Sequence, residues 1–279
     1  MRIGCNTVNF RPDVDLDFAL EKIAKAGYEW IEVEANRTWC AHADPWKDDP
    51  IKFKEKIKSY GFKGVAAMGS QREIITSEEG VKDIKRAMEW AQEAGIPVVI
   101  TGEGIVPEGM TIKTALDIIK KRFEELLEVA ERCKVYLAIE DHGTISLTPD
   151  GLPTLMGLVD SKWLGVNYDT ANIHRGNYIG TDSSGYKWRI GKVESYNEVE
   201  LIKKVASKVR HVHFKDVIGL EPVILGQGEI DLIGCMKALK EVGSDAVLAY
   251  ETEGCEDKEK AYQMIVESKK WVENALKNL

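Results

Sequence analysis

This 279-residue sequence has no disulfide frame, no basic face and no stretch suited to a membrane span. Its five cysteines (Cys5, Cys40, Cys133, Cys235 and Cys255) are odd in number, scattered, and never spaced C-x-x-C. That excludes a disulfide scaffold or a zinc knuckle and points to reduced thiols in a cytoplasmic protein. Lys and Arg number 38 against 46 Asp and Glu, a formal net charge of −8, and no Lys/Arg block interrupts the acidic balance. Such a chain has no global attraction for nucleic acid. No apolar run approaches the ~20 residues of a membrane helix. The opening MRIGCNTVNF has no charged segment leading into a long apolar one, so no secretory signal is expected. The first β–α turn also lacks the G-x-G-x-x-G of dinucleotide-binding sheets.

What is present is a regular alternation. Short apolar, β-branched runs occur at residues 2–5, 30–34, 64–68, 97–101, 135–140, 164–169, 209–214 and 247–251. Amphipathic segments lie between them, such as 16–26, 79–94 and 112–132. In the last, Leu116, Ile119, Phe123, Leu126, Leu127 and Ala130 share one helical face. Gly27, Gly61, Gly95 and Gly243 stand where helices should end in a left-handed C-cap. Strict β-then-α order implies a parallel sheet, and eight such units predict closure as one (β/α)₈ barrel over residues 1–279. A doubly wound open sheet is the structural alternative. Two loops, 35–49 and 173–196, follow strand C-terminal ends and should overhang the functional face. The first carries Trp39, His42 and Trp46; the second carries Tyr178, Tyr186, Trp188 and Arg189.

The informative residues close strands five to eight. VYLAIE ends at Glu140, LGVNYD at Asp169 and VLAYE at Glu251, while H-V-H-F-K-D carries His211 and His213 at period two. A carboxylate emerging from a buried strand is costly unless paired or metal-bound. Four such groups on neighbouring staves at one barrel end converge. Three carboxylates and an imidazole suit one hard or borderline divalent ion: Mn²⁺, Mg²⁺, Co²⁺ or Zn²⁺. His213, nearer the rim, is the expected ligand, and His211, a layer deeper, is expected in the core or behind the ligands. Singly, each acid reads more often as a helix N-cap or a surface residue than as a ligand; four at corresponding positions of consecutive strands do not. His42 and His174 lie in loops and read as solvated.

The strand ends I-E-D-H (139–142), Y-D-T-A-N (168–172), H-V-H-F-K-D (211–216), G-Q-G-E-I-D (226–231) and Y-E-T-E (250–253) resemble the sugar phosphate isomerase/epimerase superfamily of xylose isomerase-like barrels. Ketose 3-epimerases, hydroxypyruvate isomerase and inosose dehydratase belong to it. The resemblance implies that Glu140, Asp169, His213 and Glu251 ligate one metal, usually manganese, magnesium, cobalt or zinc, with Mn²⁺ first. It further implies that Glu140 and Glu251 act as the acid–base pair around an enediolate. The chemistry is coherent on its own terms, since a chelated carbonyl and hydroxyl stabilise an enediolate while flanking carboxylates move the proton. His142, Asn172, His211, Lys215, Trp39 and Arg189 are the expected substrate contacts.

Two departures shape the reading. Asp169-Thr-Ala-Asn172 stands where ketose 3-epimerases resemble D-x-x-H, and Gly219 occupies the position of an arginine. Lys215-Asp216 instead resembles inosose dehydratases, where a basic group near the metal helps to expel hydroxide; a salt bridge to Asp216 or another rim acid is the alternative. The leading expectation is therefore a metal-dependent isomerase or epimerase of a small sugar or keto-sugar. The alternatives are a lyase or dehydratase sharing the first step, and a non-catalytic sugar-binding barrel. An apurinic endonuclease would need a histidine-rich zinc cluster and a basic face, which five histidines and net −8 do not supply. Nucleic-acid and membrane partners are not expected, and a homo-oligomer is open. The glycines of G-Q-G-E-I-D suit a ligand-free turn better than a phosphate cradle, with Asp231 as the next helix cap.

Overall fold

The computed structural model describes residues 1–10, 13–175, 197–252, 255 and 257–279. Eight parallel strands form a closed ring: β1 (Arg2–Asn6), β2 (Trp30–Asn36), β3 (Gly64–Gly69), β4 (Val98–Thr101), β5 (Tyr136–Glu140), β6 (Leu164–Asp169), β7 (Val209–Phe214) and β8 (Val247–Tyr250). Each lies within two residues of its expected place. Consecutive strands pair in parallel, and β1 closes the ring by pairing with β8, Arg2 beside Val247 and Cys5 beside Tyr250. This is a (β/α)₈ barrel; the doubly wound open sheet is excluded.

Helices occupy the crossovers: α1 (Leu16–Lys25), α2 (Pro50–Ser59), α3 (Glu78–Ala94), α4 (Ile112–Cys133), α5 (Gly151–Met156), α6 (Asn172–Arg175), α7 (Glu198–Val205), α8 (Leu232–Glu241) and α9 (Lys258–Lys277). Their starts are fixed by side-chain caps, among them Asp15, Asp49, Ser77, Thr111, Asn197 and Asp257. Asp231 caps α8 through Gly234 N, as expected. The four expected glycines all have positive φ, from 66° to 89°, whereas α4 ends on Lys134 at φ 58°, a position no glycine announces.

Burial is divided in two. The large apolar core lies between the ring and its helices and takes in Ile31 and Val33 of β2 together with Phe53 and Ile57 of α2. A separate small cluster of Ala67, Val98, Ile100 and Ala138, with Tyr136 against it, comes from β3, β4 and β5. Ala138 shares its strand parity with Glu140, so this cluster plugs the barrel beneath the carboxylates. Above it the barrel interior is polar.

Candidate active site

Hydrogen bonds between successive strand ends set the site. Asp141 Oδ1 accepts from Asp169 N at 2.8 Å, tying β5 to β6. Thr170 ties β6 to β7: its hydroxyl donates to Lys215 O at 2.7 Å and accepts from Lys215 N at 2.9 Å. Asn9 holds the segment around Glu251, since its Nδ2 donates to Tyr250 O and its Oδ1 accepts from Thr252 N. The rim is thus held by local polar stitches, and each stitch flanks a candidate ligand.

The four expected ligands come together. His213 Nδ1 lies 3.0 Å from Glu140 Oε1, 3.0 Å from Glu251 Oε2 and 3.6 Å from Asp169 Oδ2, all four side chains being buried. Donor atoms of Glu140, Asp169 and His213 fall within 4.8 Å of one another, and Glu251 joins them through His213. A ring nitrogen carries at most one proton and can satisfy one of three oxygens. A divalent cation takes all four donors, and ligands about 2.1 Å from one ion stand roughly 3.0–3.4 Å apart. The donor set therefore fits such an ion. Asp169 reconciles the two readings of a strand-end acid: Oδ1 accepts from Ala171 N and Asn172 N at the start of α6, which leaves Oδ2 to face His213.

Sequence reasoning missed several neighbours. Arg72, from the loop after β3, sets Nε 2.7 Å from Glu140 Oε2 and turns Nη2 toward Glu34 Oε1 at 3.8 Å. Glu32 and Glu34 alternate along β2 and are fully buried. Their signal was present as two acids at period two inside an otherwise apolar strand. Gly69 admits Glu34, because a Cβ there would stand 2.1 Å from its carboxylate. Glu32 bridges His211 Nε2 at 2.8 Å and His213 Nε2 at 2.7 Å. His211, expected either behind the candidate ligands or as a substrate contact, is fully buried with its Nε2 on Glu32, one layer below His213.

The electrostatics follow from this crowding. Burial favours the neutral form of every acid here, but some have cationic neighbours that reverse it. Arg72, then His213, hold Glu140 well below the ordinary carboxylate range against burial. Lys215 lowers Asp169 in the same way. His213 and His211 bring Glu32 down to about 2. Glu34, whose burial outweighs Arg72, is raised to about 8, and Asp141 is pushed well up by burial and by Asp169. His213 is raised well above 6.5 despite burial, because Glu251, Glu32 and Glu140 surround it.

Of the expected substrate contacts, Lys215 is buried with Nζ 2.8 Å from Asp169 Oδ2 and 3.0 Å from Glu251 Oε2. Its partners are thus the candidate ligands themselves. Asp216 instead accepts backbone amides from Gly226 at 2.8 Å, Gly228 at 2.9 Å and Ile230 at 3.3 Å, so the glycine loop wraps around a carboxylate of its own chain. Asn172 Nδ2 reaches Glu140 Oε1 at 3.5 Å, and His142 is half-buried beside Glu140. Trp39 stands in the hairpin that β2 makes with Cys40–Ala41, 46% exposed. Trp46 donates to Asp83 on α3, outside the cluster. His42 is a correction: it is buried, with Nδ1 2.9 Å from Thr7 Oγ1 and Nε2 2.9 Å from Val14 O, because its loop folds back on the β1 end. His174 lies 3.0 Å from Glu229 Oε2. Tyr178, Tyr186, Trp188 and Arg189 lie outside the described residues.

Residues 20–275 match the family described as xylose isomerase-like TIM barrel. An uncharacterised protein of Methanocaldococcus jannaschii, MJ1311, is 24% identical over 286 positions, spanning 96% of this chain and 89% of the relative. Among solved structures, a D-tagatose 3-epimerase-like protein superposes with a TM-score of 0.77 at 22% identity, covering 99% of this chain and 97% of its own. The IOLI protein with a bound zinc atom gives 0.77 at 20%, over 100% and 99%. The probable 3-DHS dehydratase AsbF of Bacillus anthracis, involved in petrobactin synthesis, gives 0.72 at 15%, over 95% and 97%.

Proposed function

The chain belongs to the xylose isomerase-like TIM barrel family, and on that premise we propose that it is a divalent-metal-dependent isomerase or epimerase of a small sugar or keto-sugar. The observation that carries this reading is the convergence of Glu140, Asp169 and Glu251 on the Nδ1 of His213. Those four residues would hold the ion, which when bound would supply Lewis acidity toward a substrate carbonyl oxygen. Mn²⁺, Mg²⁺, Co²⁺ and Zn²⁺ all suit three carboxylates and an imidazole; Mn²⁺ is our first choice, and a zinc-binding structural neighbour supports the divalent class.

Glu140 and Glu251 are the proton carriers. One carboxylate oxygen removes the proton from the carbon next to the carbonyl. Return of a proton to the opposite face gives the epimer, and return to the neighbouring carbon gives the isomer. Arg72 favours the ionised form of Glu140. His142, Asn172 and Lys215 stand at the same rim and are the substrate contacts we favour, with Trp39 and Arg189 of the long loops as further ones.

A second reading has its own observation. Lys215 is a buried cation between Asp169 and Glu251, suited to protonate a departing hydroxide. The same first proton abstraction then ends in elimination, which makes the chain a lyase of a keto-sugar or inosose. A dehydratase among the structural neighbours supports this alternative.

The test is metal content of the purified protein, wild type beside Glu140→Gln and Glu251→Gln, followed by solvent-deuterium exchange into ketoses, inososes and 3-keto-sugars. Near-stoichiometric metal with exchange lost in both variants supports the mechanism, and the product separates epimerase from lyase. A protein that binds none of the four ions, or a ligand returned without exchange, overturns it.

A further inference from the structure

The two oxygens of Glu32 are divided between two histidines of a single strand. Oε2 meets His211 Nε2 at 2.8 Å and Oε1 meets His213 Nε2 at 2.7 Å, and all three residues are fully or almost fully buried. The two imidazoles stand edge to face, with centroids 6.0 Å apart and planes at 90°. Residues 211 and 213 point the same way because strand side chains alternate with period two. Glu32 comes from β2, which β1 and β8 separate from β7, so its side chain reaches across the barrel interior.

An ionised carboxylate is an acceptor only, so each Nε2 facing it must carry a proton. For His213 this has a directional consequence. With Nε2 committed as donor, Nδ1 is the nitrogen whose lone pair is free for another partner, and Nδ1 is the atom on which Glu140, Asp169 and Glu251 converge. His211 serves a different end. Its Nδ1 has no hydrogen-bond partner, so its polar tie is the one to Glu32. These three residues also lie close enough together to hold a cation themselves. Two short hydrogen bonds already account for both carboxylate oxygens and both nitrogens.

We propose that Glu32 is a positioning residue that selects Nδ1 of His213 as the site's ligating nitrogen, and that His211 is the strut fixing Glu32 in place. This rests on the reading of the site as a divalent-metal centre. A carboxylate behind a ligating histidine fixes its tautomer and ring orientation, and losing such a partner typically costs about 10- to 100-fold in metal affinity.

The experiment is a Co²⁺ titration of metal-stripped full-length protein, together with long-range ¹H–¹⁵N spectra of Zn²⁺-loaded, ¹⁵N-histidine-labelled protein. Wild type should show Nε2 of His213 protonated and Nδ1 bound to zinc. Glu32→Gln should bind Co²⁺ about 10- to 100-fold more weakly and show His213 in mixed forms. His211→Leu should weaken binding too, and His211→Gln, whose side-chain amide can still donate to Glu32, should restore it. Glu32→Gln with wild-type affinity and an unchanged His213 spectrum overturns the proposal while leaving the metal site standing. Wild type that binds neither Co²⁺ nor Zn²⁺ overturns the metal reading and this proposal with it. Should Glu32→Gln lose its cooperative unfolding transition, the His211 pair decides, and equal affinity in His211→Leu and His211→Gln overturns the role of the strut.

Discussion

The Nε of Arg72 stands 2.7 Å from Oε2 of Glu140, which leaves that carboxylate only Oε1 to offer His213. The pair is largely shielded, with Arg72 16% and Glu140 3% exposed. Removing one member of a buried pair strands the other charge at a cost of about 3 kcal/mol or more. Arg72→Met should therefore lower the urea midpoint of the metal-free protein, and added Co²⁺ should recover part of the loss. An unchanged midpoint would show that the pair does not hold Glu140.

Lys215 places a positive charge against two of the four candidate ligands. A like charge within a few ångströms of an incoming cation weakens its binding. Lys215→Met should bind Co²⁺ about tenfold more tightly, a difference near 1.4 kcal/mol, while turnover falls. Weaker binding in this variant would mean that Lys215 organises Asp169 and Glu251 more than it repels the ion.

Glu103 gives a pH dependence away from the metal ligands. It is fully buried, and its Oε1 accepts from Ile145 N and Ser146 N at 2.9 and 2.8 Å. Burial pushes its carboxyl from 4.5 up to about 7 despite those amides. Between those values the folded state holds a proton that the unfolded chain has lost, so stability falls as pH rises through the window and levels off above it. The full effect is roughly 3 kcal/mol. Glu103→Gln keeps the acceptor oxygen and should remove this fall, so its urea midpoint should exceed wild type at pH 8 and differ little at pH 4.5. Parallel profiles for the two proteins would assign the proton elsewhere.

Asp216 is the hub of the loop after β7, where the amides of Gly226, Gly228 and Ile230 all point at its carboxylate. Asp216→Ala leaves these donors without their acceptor and should cost at least about 2 kcal/mol. Hydrogen exchange should rise at those amides specifically. Protection that stays at the wild-type level would place their acceptor elsewhere.

The ring of strands was legible because each is a short β-branched run bounded by turn residues, a signal that needs no tertiary context. Glu140, Asp169 and Glu251 were legible because each acid terminates such a run. Arg72 was not, since it sits in the Ser70–Gln71–Arg72 loop, where no periodicity aims a side chain and only the fold brings it to Glu140. Glu32 shows a third case. Its alternation with Glu34 was readable, but its partners lie 179 and 181 positions away and follow only from barrel closure. His42 shows the converse, a loop residue buried by contacts to Thr7 and Val14 that its own sequence context does not announce.

The pairing of β1 with β8 has a consequence for the order of events during synthesis. β1 holds one edge of the ring open until its partner strand, residues 247–250, has been made, and Glu251 follows that strand immediately. A domain generally folds as a unit, so a ring that lacks its closing strand is not yet the native barrel. Glu140, Asp169 and His213 are made before Glu251, so the proposed donor set is incomplete until the last strand of the ring has been made. A nascent chain stalled short of residue 251 lacks one of the four proposed donors, so on the metal reading four-donor capture of an ion requires the same stretch of chain that closes the ring.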